Sequence, residues 1–392
     1  MQNFSIHTTT EVVFGRAIEA EIGPRLRALG AQRVLVHFGG GSARASGLLD
    51  RVEASLTDAG LTFVELGGVS PNPKLSLVHE GIALCQREGV DWIVAVGGGS
   101  VIDSAKGIGM GVATGCDPWT FTTGQALPEA TLPIATVLTL AASGSETSNS
   151  CVLTNEQTRE KRGITSQTNR PRISFLDPEN TFTVSKFQTG CGIVDIMMHT
   201  IERYLTPQGG ESDLTDRLAE GLLIATRDAG RRAIADPCDY EARATLMWAG
   251  SVSHNDYTGC GRTRLFPVHK LEHELSAFRD EIAHGAGLSV LFPAWAQYEV
   301  ERDVPRFAQL AHRVFGVEMD FAQPLRTARE GICTMKRFFE EIGMPVHLGE
   351  LGIRPSDYQT LAANTLRAAN GPVKSYSLLD EQAICAIYRL AE

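Results

Sequence analysis

Residues 94–109 read VAVGGGSVIDSAKGIG: an apolar run, three glycines, a serine, and then a segment with helical composition. Glycines between a strand and a helix N-terminus let backbone N–H groups close on an anion, although three in a row also make a plain tight turn. The spacing is not GxGxxG, so the neighbouring sequence has to decide.

On both sides of this stretch, short β-branched runs alternate with amphipathic ones. RVLVHF (33–38), GLLDRVEASLTDAG (47–60), TFVEL (62–66), LVHEGIALCQREG (77–89), WIVAVG (92–97), SVIDSAKGIGMGVA (100–113) and PIATVLTL (133–140) follow one another. Continuous apolar strands separated by helices predict a parallel sheet covered on both faces, a doubly wound α/β fold. From about residue 189 the texture changes to long helical stretches such as LTDRLAEGLLIATRDAGRRAIA (214–235) and EARATLMWAGSVSHN (241–255). The expectation is an α/β cofactor-binding domain over 1–186, then an all-helical metal- and substrate-binding domain over 187–392. A chain of 392 residues is long enough for two such cores.

Composition excludes several functions. A formal net charge of -10 is a poor match to phosphate backbones, so no nucleic-acid partner is expected. No apolar run reaches membrane length, and MQNFSIHTTTEVVFG (1–15) lacks the pattern of a signal peptide. The eight cysteines include no CxxC pair and suggest neither a zinc ribbon nor a disulfide framework. A cytoplasmic, reducing setting is the expectation.

Gly97, Gly98, Gly99 and Ser100 fall where a strand meets a helix N-terminus, at the sheet edge where open α/β folds take ligands. A pyrophosphate is the expected guest. A second cluster, Gly39, Gly40, Gly41 and Ser42, follows the strand RVLVHF and shares that edge. In dinucleotide sites an acidic residue after an early strand grips the ribose 2′-hydroxyl. Here glycine stands there, with Ser42 and Arg44 beyond it, which favours NADP(H) over NAD(H). LTLAASGSETS (138–148) adds Thr139, Ser143 and Ser145 as further hydroxyl donors.

The second half carries a metal pattern. CGIVDIMMHTIERYL (191–205) places Asp195 and His199 four apart, on one helix face. FPVHKLEHELSAFRDEIAHGAG (266–287) repeats that spacing with His269 and His273 and then offers His284. One carboxylate with two or three imidazoles suits one divalent metal, Fe²⁺ or Zn²⁺.

Taken together, FGGGSARASGLLD, PNPKLSLVHEGI, VGGGSVIDSAKGI, LTLAASGSETSN, GIVDIMMHTIERYL, HKLEHELSAF and HGAGLSVLFPAW resemble the iron-dependent alcohol dehydrogenases, nearest their NADP(H)-dependent butanol dehydrogenase and aldehyde reductase branch. The resemblance implies hydride transfer between NADP(H) and a small alcohol or aldehyde, in a homodimer. It implies Asp195, His199, His269 and His284 as metal ligands, with His273 as a catalytic, non-ligand histidine near the substrate. It implies cofactor positions at Gly97, Gly98, Ser100, Asp103, Asn72, Thr139, Ser143, Ser145 and Lys161. The interval from His273 to His284 is one residue longer than the family pattern leads one to expect. His254, Cys260, Phe266 and Phe278 are expected at the substrate pocket. A lyase of the 3-dehydroquinate synthase type shares this architecture but would need basic residues around the metal, and Asp195 to His199 is mostly apolar. A binding protein or a metal-free reductase would have lost a ligand position, and none is lost.

Overall fold

The computed structural model describes residues 1–124, 126–207 and 212–392. The chain divides into two compact units, one of residues 7–184 and one of residues 1–6 with 185–392. Met1–Ile6 cluster with the helical unit, where the Gln2 N–H donates to the Gly261 carbonyl at 3.1 Å and Gln2 Nε2 to Thr263 Oγ1 at 3.0 Å.

The first unit is built on six parallel strands: β1 (Glu11–Phe14), β2 (Arg33–Phe38), β3 (Thr62–Leu66), β4 (Trp92–Gly97), β5 (Ile134–Leu138) and, after a hairpin of β6 (Ser150–Asn155) and β7 (Glu160–Thr165), β8 (Ile173–Leu176). Its helices are α1 (Ile22–Ala28), the short α2 (Ser42–Ala45), α3 (Leu48–Asp58), α4 (Leu75–Glu88) and α5 (Gly99–Thr114). The sheet order is β1-β8-β5-β4-β2-β3. β3 lies to one side of β2 and β4 to the other, so the winding reverses between β2 and β4. At such a reversal the loops leaving the two strands diverge and open a crevice at their carboxyl ends. Phe38 pairs with Val96, and Gly97 with Leu138, so β2, β4 and β5 end nearly level.

β4 is buried at every residue, as a strand covered on both faces must be. Val34, Val36, Val94, Val96, Val137 and Phe175 pack with Leu26, Leu49, Val52 and Leu56 from α1 and α3 in one core. His37, on the opposite face of β2 from Val34 and Val36, is fully buried. Its Nδ1–H donates to the Leu66 carbonyl at 2.8 Å, and Nε2 accepts from Ser104 Oγ at 2.9 Å. Burial outweighs the backbone bond and lowers its pKa to about 4, so this imidazole is a neutral strut joining β2, β3 and α5.

The second unit holds α6 (Lys186–Tyr204), α7 (Asp213–Ala235), α8 (Tyr240–His254), α9 (Pro267–Phe278), α10 (His284–Glu299), α11 (Val304–Phe315), α12 (Pro324–Glu341), α13 (Tyr358–Ala368) and α14 (Glu381–Leu390). It also carries one small ribbon, β9 (Val373–Lys374) against β10 (Leu378–Leu379), where helices alone are expected from the sequence. Ser185 starts α6 by accepting from the Gln188 N–H at 3.2 Å, and every residue from Thr189 to Tyr204 is buried. No helix among the described residues is long and apolar enough to cross a membrane.

One buried cation shapes the loop after β5. Lys106 Nζ on α5 donates to the carbonyls of Ser145, Ser148 and Ser150 and to Ser145 Oγ, all within 3.2 Å, and lies 3.9 Å from Asp103. Removing one partner from such a buried set strands the others. Lys106→Met is therefore expected to cost about 3 kcal/mol, read as a fall in the urea midpoint of this unit; an unchanged midpoint would contradict the role given to Lys106.

Candidate functional site

α6 aligns Asp195, His199 and Glu202 along one face, since residues three and four apart are neighbours on a helix. The same spacing sets His269, Glu272 and His273 along α9, and His284 opens α10. Asp195 Oδ1 is the common point. It lies 3.5 Å from His199 Nδ1, 3.7 Å from His269 Nε2 and 3.7 Å from His284 Nε2. The ligand atoms of Asp195, His199 and His269 lie within 4.8 Å of one another, and all three residues are buried.

Asp195 Oδ1, His199 Nδ1 and His269 Nε2 have no hydrogen-bond partner although they are buried. Buried polar atoms are otherwise almost always paired, so a converging, unpaired set of this kind fits a cation. The distances fit as well, since a tetrahedral ion with bonds of about 2.1 Å separates its ligand atoms by ~3.4 Å.

Two carboxylates stand behind the imidazoles. Glu202 accepts from His269 Nδ1–H and, through its other oxygen, from the Val268 N–H at 2.7 Å, which anchors the first turn of α9. Glu272 accepts from His284 Nδ1–H and from Ser276 Oγ. Each bond keeps a proton on Nδ1 and leaves the Nε2 lone pair for a metal, the carboxylate–histidine arrangement of many metal sites. Glu272, His273 and His284 also form a triplet within 4.8 Å, but Glu272 meets the rear nitrogen of His284.

The approach of α10 to α6 depends on a missing side chain. A Cβ on Gly285 would lie 2.2 Å from the Cys191 carbonyl oxygen and 2.5 Å from its Cα. One on Gly287 would lie 2.6 Å from Glu272 Cγ, so that glycine makes room for the partner of His284. Residues 279–283 link α9 to α10, and His284 Nε2 lies 3.7 Å from Asp195 Oδ1.

Aromatic groups border the cluster. The His254 ring meets His199 edge-on with centroids 4.1 Å apart, and Phe266 stands edge-on to His269 at 5.2 Å. Phe266 takes a left-handed φ of 51° just before Pro267, a strained conformation of the kind that gathers at functional sites. Arg203, also buried, sits 4.7 Å over the Phe266 ring and donates to the His199 carbonyl. The His273 ring is 5.6 Å from His284 and half-buried. Cys260 Sγ donates to the Asp256 carbonyl at 3.5 Å, and Phe278 is exposed at the end of α9.

In the sheet unit, Gly39–Ser42 leave β2, Asn72 follows β3, Gly97–Ser100 leave β4, and Thr139, Ser143 and Ser145 follow β5, all at the carboxyl edge. Gly98, which precedes α5, offers no side-chain cap of its own. The glycines divide into two kinds. A Cβ on Gly97 would meet Val101 Cγ2 at 2.4 Å and its Cβ at 2.8 Å, so packing requires that glycine, whereas one on Gly99 would meet only the turnable Ser143 hydroxyl at 2.2 Å and its Cβ at 3.1 Å. Nothing lies within 4 Å of one on Gly40 or Gly41. Asp103 turns inward: its oxygens accept from Ser145 Oγ at 2.5 Å and from the Val152 N–H at 2.9 Å. Burial raises its pKa, and Lys106 and, more weakly, Lys161 on β7 pull it back. These residues hold the loop together.

The carboxylates Glu202 and Glu272 were not among the sequence candidates, yet the sequence carries their signal twice, as HTIE (199–202) and HKLE (269–272). Each glutamate sits three residues beyond a histidine of the cluster and serves the next one along the chain.

Comparison with known proteins gives two family matches: "iron-containing alcohol dehydrogenase" over residues 9–178, and "Fe-containing alcohol dehydrogenase family, C-terminal" over residues 189–391. The chain is 37% identical over 390 residues to NADH-dependent butanol dehydrogenase A of Clostridium acetobutylicum, covering 99% of each. It is 33% identical over 364 residues to the NADPH-dependent aldehyde reductase YqhD of Escherichia coli, covering 92% of each. Among solved structures it is similar to NADH-dependent butanol dehydrogenase A of Thermotoga maritima, with a TM-score of 0.95 and 36% identity over 100% of this chain and 99% of that one.

Two outcomes are expected. Gly285→Ala pushes α10 off α6 and lowers metal affinity at least about ten-fold with roughly 1–3 kcal/mol of stability, whereas Gly221→Ala, exposed within α7 and meeting nothing within 4 Å, leaves metal affinity unchanged and raises stability by roughly 0.5–1 kcal/mol. Equal affinities in a chelator competition would contradict the packing argument. The second concerns pH. Burial lowers the His269 pKa, but Glu202 and Asp195 outweigh it and lift it to about 9, while burial and then His254 and His269 hold His199 well below its ordinary value. Metal-free protein at neutral pH therefore carries a proton on His269 that a metal must expel. Affinity for Zn²⁺ should rise about ten-fold per pH unit from 7 until it flattens near 9; a flat profile would contradict this.

Proposed function

The chain belongs to the iron-containing alcohol dehydrogenase family and is an oxidoreductase that uses a pyridine nucleotide, and from that premise we propose that it transfers hydride between NADP(H) and a small alcohol/aldehyde pair at a single divalent metal. The observation that carries this reading is the convergence of three imidazole nitrogens on Asp195 Oδ1. Asp195, His199, His269 and His284 would hold the metal, Fe²⁺ or Zn²⁺. Bound there, the metal supplies Lewis acidity toward the substrate oxygen, and the nicotinamide carries the hydride.

The chain's own residues do the rest. Glu202 and Glu272 fix the imidazoles, while Phe266 and His254 border the metal and limit water around it. His273 is half-buried beside His284 and can pass a proton between substrate oxygen and solvent. NADP(H) is favoured over NAD(H) by the glycines after β2, where an acidic residue would repel a 2′-phosphate, and by Arg44 just beyond them. The relatives divide on this point, one being named NADH-dependent and another NADPH-dependent. The comparisons lend no support to the lyase alternative. A homodimer is proposed from the family resemblance, and light scattering would test it.

The test is NADPH oxidation, with NADH alongside, on small aldehydes after anaerobic loading with Fe²⁺ or Zn²⁺. Metal-dependent turnover that prefers NADPH is expected, and oxidation of neither nucleotide would overturn the reading. His269→Ala should lose metal and turnover together and keep NADPH binding; a variant with full metal and activity would show the ligand set to be wrong.

A further inference from the structure

Arg44 lies on α2, directly after the open glycine loop that leaves β2. Three carboxylates surround its guanidinium: Glu65 on β3 in direct contact, Glu53 on α3 at 3.2 Å and Asp50 at 3.6 Å. It also lies 5.6 Å from the centre of the Phe38 ring, at the last residue of β2. Val36 pairs with Glu65 and His37 with Leu66, so Glu65 stands one residue short of the carboxyl end of β3. The Arg44 guanidinium thus faces three carboxylates at the edge where the adenosine ribose is expected.

The two nucleotides meet this group differently. A 2′-hydroxyl is neutral and can donate to a carboxylate, whereas a 2′-phosphate brings about two negative charges and needs a cation. Arg44 and Glu65 therefore pull in opposite directions. Arg44 is half-exposed at 45% and Glu65 at 39%, so the guanidinium can leave one anion for another without opening the core. Gly40 and Gly41 carry no side chain in the way.

We propose that the Arg44–Glu65 pair sets the nucleotide preference: Arg44 exchanges Glu65 for the 2′-phosphate of NADP(H), and Glu65 restrains that preference by competing for the same guanidinium. This rests on the reading that the Gly39–Ser42 loop receives the adenosine ribose. Glu65 would thus be a specificity residue supplied by β3, the strand beside the one that carries the loop.

The experiment compares kcat/KM for NADPH and NADH, with one aldehyde in metal-loaded enzyme, across Glu65→Gln, Arg44→Ala, the double variant and Gly40→Asp. Glu65→Gln is expected to raise the NADPH/NADH ratio about ten-fold through a lower KM for NADPH, with kcat and the KM for NADH nearly unchanged. Arg44→Ala should lower the ratio by a similar factor, and the double variant should match Arg44→Ala, because Glu65 acts only through Arg44. Gly40→Asp places an acid in the open loop and should lower the ratio wherever the ribose sits there. If Gly40→Asp shifts the ratio and Glu65→Gln does not, the proposal is overturned while the loop keeps its role. A ratio unmoved by Gly40→Asp, Glu65→Gln and Arg44→Ala would remove the loop reading and the proposal together.

Discussion

Three buried polar atoms, Asp195 Oδ1, His199 Nδ1 and His269 Nε2, face one another with no hydrogen bond between them. Each buried polar atom left unpaired costs on the order of 1–3 kcal/mol, so the set is held at a loss unless a cation joins it, whether the proton that Glu202 and Asp195 favour on His269 or a metal that displaces it. Much of the surrounding structure serves that arrangement. Glu202 and Glu272 fix the protons of His269 and His284, and Glu202 also starts α9 by holding the Val268 N–H. Gly285 and Gly287 leave the space that α10 and Glu272 need. Metal binding and helix packing are therefore one problem in this unit.

The sheet unit answers a different constraint. Its winding reverses between β2 and β4, and the two glycine clusters leave those two strands. Gly97 is required by packing against Val101, whereas Gly40 and Gly41 face open space. The loop after β5 is held from within by Lys106, Asp103 and Ser145. The carboxyl edge thus offers an open glycine loop after β2 beside a loop after β5 that is fixed from within.

Much of this was legible in the residues. Alternating apolar runs and helices locate α3, α4, α5 and four of the six sheet strands, and the long helical stretches that follow locate α7 and α8. β1 and β8 escape that reading because each is four residues long, and their partners lie far away in sequence. The hairpin β6–β7 also goes unread, since SCVLTN and EKRGIT mix polar and apolar residues without a strong period. The metal residues were visible because i,i+4 spacing repeats on α6 and α9. Their rear carboxylates were not, because a glutamate three residues beyond a histidine looks like ordinary helix surface until burial is known. Asp103 was read toward the cofactor, and only the structure reveals that its oxygens turn inward.

One divalent metal held among Asp195, His199, His269 and His284 would satisfy their converging atoms. Anomalous diffraction at the absorption edge of the loaded metal tests it most directly. One peak at bonding distance from Asp195 Oδ1, His199 Nδ1 and the Nε2 atoms of His269 and His284 is the predicted result. A peak held instead by Glu272 and His273, or none near Asp195 in crystals of metal-loaded, active protein, would contradict it.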